Sequence, residues 1–260
     1  MPSPDRHPCP CCGYRTYLLP AGGTMQLCPV CFWEDATGDA EYNGSNQVSL
    51  LEAQRNFAEF GASERCYQDA VRVPLPEEIR SPRWLTSDEL RERIITFIER
   101  AFHSVTRDGG TTLHQMDLID GGWLMTSKAV MDAEKKDPEI RWQDISAGKL
   151  SEFHESLWFL DDLGFRFYLP AFMRHALRTS SVEVWKSEID GVLWPLDGGP
   201  SGHDRCDSFA LLQHEQKEAV AAFLFYFAIW GDCGQVPHAR KGLKRGWEPY
   251  IPAFIKQAAL

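Results

Sequence analysis

Two short stretches, Cys9-Pro-Cys-Cys-Gly13 and Cys28-Pro-Val-Cys31-Phe-Trp-Glu-Asp35, decide how this chain begins. Cys9, Cys12, Cys28 and Cys31 form two Cys-x2-Cys pairs with fifteen residues between them, a spacing suited to four thiolates around one Zn²⁺. Two intervening residues let each pair grip one edge of the ion, and the spacer folds back to bring the pairs face to face. Bonds of about 2.3 Å and a soft donor set favour zinc over harder cations. Four thiolates leave no coordination position for water, so the expected Zn²⁺ is structural and Lewis-acid catalysis is poorly served. Cys11, next to Cys12, either substitutes for it or stays a spare thiol. Gly13 follows the first pair and Phe32 the second, so the two halves are expected to be inequivalent.

Between the pairs, Tyr14 to Leu19 and Thr24 to Leu27 read as a hairpin around Pro20-Ala-Gly-Gly23. A ribbon this short has too few apolar groups for a core of its own, and metal binding supplies on the order of 10 kcal/mol in comparable peptides. Ser49 stands three residues before Glu52, a capping box opening a helix through Leu50, Leu51, Ala53, Phe57 and Phe60, with Gly61 as its stop. Pro74, Pro76 and Pro82 disfavour helix and interior strand over 71–84. The expected domains are therefore a zinc ribbon with its following helix over 1–70, a proline-rich linker over 71–84, and a mainly helical domain over 85–260.

Thr86 and Glu89 form a second capping box, and Leu90, Ile94, Phe97, Ile98, Ala101 and Phe102 recur on one helical face. Residues 107–124 read as loop, while 128–136, 142–145 and 150–160 read as helical. Gly164 to Leu169 sets Phe165, Phe167 and Leu169 against Arg166 and Tyr168, which suggests a short strand, with Pro170 opening a helix over Ala171 to Arg178. Gly191, Pro195, Gly198, Gly199, Pro200 and Gly202 suggest an extended surface loop over 189–206. Phe209 to Trp230 reads as a central helix and 239–257 as a final, broken one. The fold class is mainly α (α+β): a small N-terminal zinc-ribbon hairpin plus helix, then a larger helical domain with a few short strands.

A hydrophobic fraction of 43% and a charged fraction of 25% exclude disorder and membrane composition. The apolar run Ala219 to Trp230 falls short of the ~20 residues a spanning helix needs. Met1 to His7 lacks the apolar segment of a secretory signal, so a cytoplasmic location is expected. Five of the eight cysteines, Cys9, Cys11, Cys12, Cys28 and Cys31, crowd together, which reads as metal binding. Cys66, Cys206 and Cys233 are scattered and read as buried free thiols. The net charge is -10, and residues 1–46 hold only Arg6 and Arg15 against Asp5, Glu34, Asp35, Asp39 and Glu41. That balance weighs against nucleic acid and favours a basic partner.

Other chemistries are poorly supported. A redox Cys-x-x-Cys needs a βαβ setting that is missing here. Zinc deaminases need a His followed two residues later by Glu, and no His in the chain is. Rubredoxin-like spacing keeps iron open as the ion. His203, Cys206 and His214 come nearest to a nucleophile and base, without an identifiable orienting carboxylate. Asp117 and Asp120, or Asp161 and Asp162, could pair, though loop and cap positions explain them. Arg240, Lys241, Lys244 and Arg245 read as a solvated helical face. Exposed members of the nine tryptophans would make interface anchors.

From Cys9 to Glu34, and again over Asn46-Gln-Val-Ser-Leu-Leu-Glu-Ala-Gln-Arg-Asn-Phe57, the chain resembles the bacterial cysteine-rich CPCC family, across about residues 7 to 66. The resemblance implies zinc binding without an established activity; it supports Cys9, Cys12, Cys28 and Cys31 as ligands and leaves Cys11 open. Residues 90 to 250 or so resemble a second bacterial family of unknown function. That likeness rests on Ala101-Phe102, Leu118-Ile-Asp120, Trp142-x-Asp144-Ile145, the stretch Gly164-Phe-Arg-Phe-Tyr-Leu-Pro-Ala-Phe172 and Gln216-x-x-Ala219-Val220-x-x-Phe223-Leu224. It brings no catalytic residues with it.

Three functional expectations follow. The favoured one is a non-enzymatic binding protein of the bacterial immunity type, which covers and neutralises a cognate protein toxin, such as a basic nuclease, with a preorganised acidic surface. The second is a zinc-ribbon adaptor contacting nucleic acid or transcription machinery, which the few basic residues of the ribbon disfavour. The third is an enzyme with its site near Asp117 to Gly122 or His203 to Cys206.

Overall fold

The computed structural model describes residues 6–36, 46–120, 126–179, 187–198, 206–231 and 234–258. They divide into two units, one within 1–92, 229–234 and 253–260 and the other within 93–228 and 235–252.

The first unit begins with β1 (His7–Pro8) antiparallel to β2 (Arg15–Tyr17), His7 opposite Tyr17 and Pro8 opposite Arg15, with a bulge between them. The expected hairpin between Tyr14–Leu19 and Thr24–Leu27 does not form; the ladder flanks the first cysteine pair instead. Pro20 has no N–H to give, and Gly22 and Gly23 take positive φ (143° and 89°), so the backbone leaves the extended region before a second ladder can start. Side chains close this loop. Gln26 Oε1 accepts from Leu18 N (2.6 Å) and Leu19 N (3.3 Å), and the Asp35 carboxylate accepts from Gly22, Gly23 and Thr24 N–H groups. Leu27 then bridges Glu34, and the Asn46 side-chain amide pairs with both backbone groups of Glu34 as a strand would.

Helix α1 (Leu50–Phe60) starts where the cap residue requires: Ser49 Oγ accepts from Glu52 N, and Gly61 ends it at φ 85°. Residues 71–84 pack within this unit. Glu78 is wholly buried with both carboxylate oxygens 2.7 Å from the Arg72 guanidinium, and Trp84 lies against Gly13. At α2 (Ser87–Ala101) the capping box is reciprocal, Glu89 N to Thr86 Oγ1 and Thr86 N to Glu89 Oε2. The division between the units falls inside this helix, after Glu92.

In the second unit Asp108 and Gly109 turn the chain at positive φ, and Thr112 caps α3 (Leu113–Asp120), a helix where loop was expected. Helices α4 (Ser127–Glu134) and α5 (Ala147–Glu152) follow, with 3₁₀ turns at Trp142–Asp144 and Ser156–Trp158. The strand expected over Gly164–Leu169 is instead part of α6 (Asp162–Thr179), and Pro170 sits inside that helix. From Gly164 to Leu177 every residue except Arg166 and Arg174 is buried, so apolar side chains are needed on almost all faces, and the period of two carries no strand information. Asp161 caps α6 through Gly164 N (2.8 Å) and accepts Thr111 N (2.9 Å) with the same oxygen.

The expected loop over 189–206 also gives way to helix: α7 (Ser187–Asp197) buries Val192, Leu193 and Leu196. Its glycine serves packing. A Cβ on Gly191 would lie 2.0 Å from His154 O. A turn separates α8 (Cys206–Ala210) from α9 (His214–Trp230), whose Ala219 to Leu224 are all fully buried. Helix α10 (Gln235–Gly242) runs into a π turn broken at Gly246, and α11 (Ala253–Ala258) closes the described chain. Among the described residues, no helix is long and apolar enough to cross a membrane.

Candidate metal centre

Each cysteine pair is held by the same two backbone bonds. Cys9 N donates to Tyr14 O and Gly13 N to Cys9 O; Cys28 N donates to Trp33 O and Phe32 N to Cys28 O, all at 2.8 to 2.9 Å. Gly13 and Phe32 both take positive φ, 76° and 66°. The expected inequivalence is therefore confined to side chains: the two knuckles share one backbone, and Phe32 bears the left-handed conformation at a cost of about 1 kcal/mol. Its ring stacks at 4.3 Å on Tyr67. Glycine is required at 13 for another reason as well, since a Cβ there would meet Trp84 Cδ2 at 2.5 Å.

The sulfurs of Cys9, Cys12, Cys28 and Cys31 lie within 4.8 Å of one another, and all four residues are buried. Across the knuckles, Cys9 Sγ lies 3.6 Å from Cys31 Sγ and Cys12 Sγ 3.6 Å from Cys28 Sγ. Four sulfurs about 2.3 Å from a central ion have tetrahedral edges of about 3.8 Å, so the spacing fits a closed tetrahedral site. A disulfide would need about 2.05 Å, and these thiols are free. The donors could hold a metal ion.

Burial pushes the Cys12 and Cys31 thiols up, whereas hydrogen bonds from Cys12, Cys31 and Cys9 hold the Cys28 thiol far down. Thiolates are the metal-binding form of cysteine, so a cation entering the cluster displaces thiol protons. Thr16 Oγ1 lies 3.2 Å from Cys28 Sγ, and the Tyr17 hydroxyl, 3.7 Å from Cys9 Sγ, donates to Trp33 O. These outer contacts orient the sulfurs. Gln54, buried on α1, donates to Pro10 O in the first knuckle (2.8 Å) and accepts from both Ser87 N and Ser87 Oγ (2.8 Å each). Ser63 N reaches Cys31 O and Arg72 N reaches Pro29 O, fixing the second knuckle. None of these supports has a local sequence signature except the capping context of Ser87.

Residues 90–258 match a family model described as a family of unknown function, DUF6714. The chain belongs to this DUF6714 family. Ahead of the DUF6714 region, residues 7–78 match the cysteine-rich CPCC model, so the chain is a fusion of the two. No curated protein and no solved structure matches it.

The other sequence candidates are dispersed. Cys11 is buried beside the quartet but is not one of the four convergent sulfurs, and Cys66 is exposed, against the expectation of a buried thiol. Cys233, Asp120's side chain, residues 121–122, His203 and the Cys206 side chain lie outside the described residues. His214 is exposed beside Glu218. Asp161 caps α6 and Asp162 accepts from Ser208 Oγ, so that pair serves structure. Arg240 donates to Ala228 O and Lys241 pairs with Asp197, so the basic face is partly tied down. Trp158 and Trp194 are the exposed tryptophans among the described residues with about half their surface open, 45% and 48%.

Proposed function

We propose that the chain is a zinc-stabilised binding protein of the immunity type, its Zn²⁺ held by Cys9, Cys12, Cys28 and Cys31 as scaffolding and its surface made to cover a basic protein toxin. The zinc reading rests on the tetrahedral fit of the sulfurs and on their full burial, which leaves no vertex for a substrate.

The observation that carries the binding reading is where apolar surface is exposed. Leu18, Leu19, Met25 and Leu27, each 46% exposed or more, sit on the two segments that Gln26 ties together beside the knuckles. A metal-braced loop offering four apolar side chains is preorganised, which lowers the ordering cost of association. The net charge of -10 adds long-range attraction for a cationic partner and fast, salt-sensitive encounter.

The test is affinity purification of the zinc-loaded chain from the cells that naturally make it, identification of any basic protein retained, and kinetics of the purified pair. The expected result is nanomolar association whose on-rate falls with salt, and a tenfold or greater loss of affinity in Leu19→Asp and Leu27→Asp with metal content unchanged. Retention of DNA at physiological salt with a steep salt slope, and no toxin bound, would move the assignment to a zinc-ribbon adaptor.

A further inference from the structure

We infer that a cleft of about 400 Å³ in the second unit binds a guanidinium group, through acceptor atoms of His114, His154, Asp117, Glu152 and Ser156 and the ring of Phe159. The inference goes beyond the binding reading and rests on none of its residues.

The two imidazoles set the polarity of the cleft. Asp137 is wholly buried; its Oδ2 accepts from His114 N (2.9 Å), and its Oδ1 faces His114 Nδ1 (3.0 Å) and Lys149 Nζ (3.1 Å). Burial alone would raise this carboxyl, but the hydrogen bonds from His114, Lys149 and Thr112 hold it below the usual carboxylate range. An ionised carboxylate only accepts, so the proton between them sits on His114 Nδ1. His154 is fixed in the same sense, because its Nδ1 lies 2.9 Å from the Ser151 carbonyl, which also only accepts. In each neutral ring the lone pair is therefore left on Nε2. Neither Nε2 makes a hydrogen bond among the described residues; that of His154 stands 3.9 Å from Glu155.

Carboxylates add to these acceptors. Asp117 follows His114 by three residues on α3, so the two share a face, and Glu152 ends α5. Both are exposed, and neither makes an ion pair or hydrogen bond among the described residues. Glu152 stands at a helix C-terminus, where the macrodipole disfavours a negative charge, so the fold gains nothing from it there. With Glu155 they outnumber Lys136, the cation on the cleft wall.

Unpaired acids alone would mark no particular place, but Ser156 does. It is 3% exposed, its hydroxyl has no partner among the described residues, and that oxygen is not one of the sealed unpartnered atoms, so it opens on the cleft. A serine this buried normally finds a hydrogen bond, and the cleft is where its partner can come from. The turn that carries it is fixed. Phe153 O accepts from Ser156 N and Ser156 O from Phe159 N, both at 3.0 Å, and Gly191 is packed onto the His154 carbonyl.

A cleft lined by acceptors selects a cationic donor. The acceptors are too dispersed for a bare ion: among the described residues, the cysteine quartet is the one set of three or more metal-ligating groups within 4.8 Å of one another. A guanidinium spreads five N–H donors over a plane, whereas an ammonium concentrates three on one atom. Phe159, 53% exposed, offers that plane a ring to stack on, and the buried Met116 and Phe153 supply apolar wall for the attached carbon chain. The group reaches the cleft either on an arginine side chain of a protein or on a free small molecule.

The full zinc-loaded chain is titrated with ethylguanidinium chloride while the His114 and His154 ring resonances are followed by NMR, with ethylurea as the neutral isostere. The expected result is a saturable shift of both rings with ethylguanidinium and none with ethylurea. Affinity is expected to fall at least ~5-fold in the double variant Asp117→Asn, Glu152→Gln, whose exposed, unpaired side chains leave the melting behaviour unchanged. Glu59→Gln, which removes an exposed acid of the first unit, is expected to leave affinity unchanged. Tighter binding of N-acetylarginine methylamide than of free arginine places the group on a protein partner, and the reverse order places it on a small molecule. No saturable shift at millimolar ethylguanidinium, equal shifts with ethylurea, undiminished affinity in the double variant, or an equal loss in Glu59→Gln overturns the assignment.

Discussion

Gly13 and Phe32 hold the same place in the two knuckles, yet substitutions there should behave differently, because only Gly13 is covered. Gly13→Ala adds a Cβ 2.5 Å from Trp84 Cδ2 at φ 76°, and is expected to lower the stability of the first unit by about 2 kcal/mol in urea unfolding of the metal-loaded chain. Phe32→Gly relieves about 1 kcal/mol of backbone strain while giving up the Tyr67 ring contact, so the two changes nearly cancel. Gln54→Ala strands Pro10 O and Ser87 N together, and a loss of about 2 kcal/mol is expected in the same experiment. The four convergent cysteines could be read from sequence because metal spacing is a local property of each pair. Gln54 and Trp84 could not, since their partners lie far along the chain and nothing in a glutamine's neighbours announces a bridging amide.

At the level of elements, boundaries were legible where a cap stood before a clear amphipathic pattern; Thr112 and Asp161 also cap helices, α3 and α6, that read as loop and strand because that pattern is missing. Ser49 with Gly61 and Thr86 with Glu89 name their helices because unsatisfied backbone groups at a helix end must find partners nearby. Burial erased the signal elsewhere: α6 and α7 need apolar side chains on most faces, and their internal Pro170, Gly191 and Pro195 mimic loop punctuation. Gly191→Ala tests this directly. Its Cβ would stand 2.0 Å from a backbone oxygen that cannot rotate away, and a loss of about 3 kcal/mol is expected, read as a lower unfolding midpoint of the second unit. The segment 71–84 carries a pH dependence instead. Arg72 beside Glu78 holds the Glu78 carboxyl below its ordinary value, with hydrogen bonding from Leu75 N assisting against burial. A depressed folded value means that this contribution is complete above about pH 4.3, the unfolded value, and fades as pH falls below it. The stability gap between the wild-type chain and Glu78→Gln is expected to be widest near neutrality and to close as pH falls below the unfolded value and then through the depressed folded one. A gap independent of pH would assign Glu78 a role of shape alone.

For the whole molecule the question is whether the ion holds up both units or one. In the first unit the buried cluster is built around Cys9, Cys11, Cys12, Cys28 and Cys31, with Tyr17, Val30, Trp33 and Ala53 as its few other members. So little apolar surface cannot offset the entropy of ordering, and the metal is expected to supply on the order of 10 kcal/mol. The second unit buries Phe165, Phe167, Phe172, Phe223, Phe227 and Trp247 with no sulfur ligand among them, enough for a core that stands without an ion. Chelation at neutral pH is therefore expected to release amide protection over 7–36 and 46–84 while α6 and the buried part of α9 keep theirs, as hydrogen exchange with mass spectrometry would resolve. Helix α2, which belongs to both units, should fray from its start: Ser87 loses the Gln54 carbonyl that accepts its N–H, while Ile94 and Ile98 stay buried. Cys28→Ser should give the same pattern with no chelator present. Simultaneous loss of protection in α6 would show instead that the two units unfold as a single cooperative body and that the ion stabilises the entire chain.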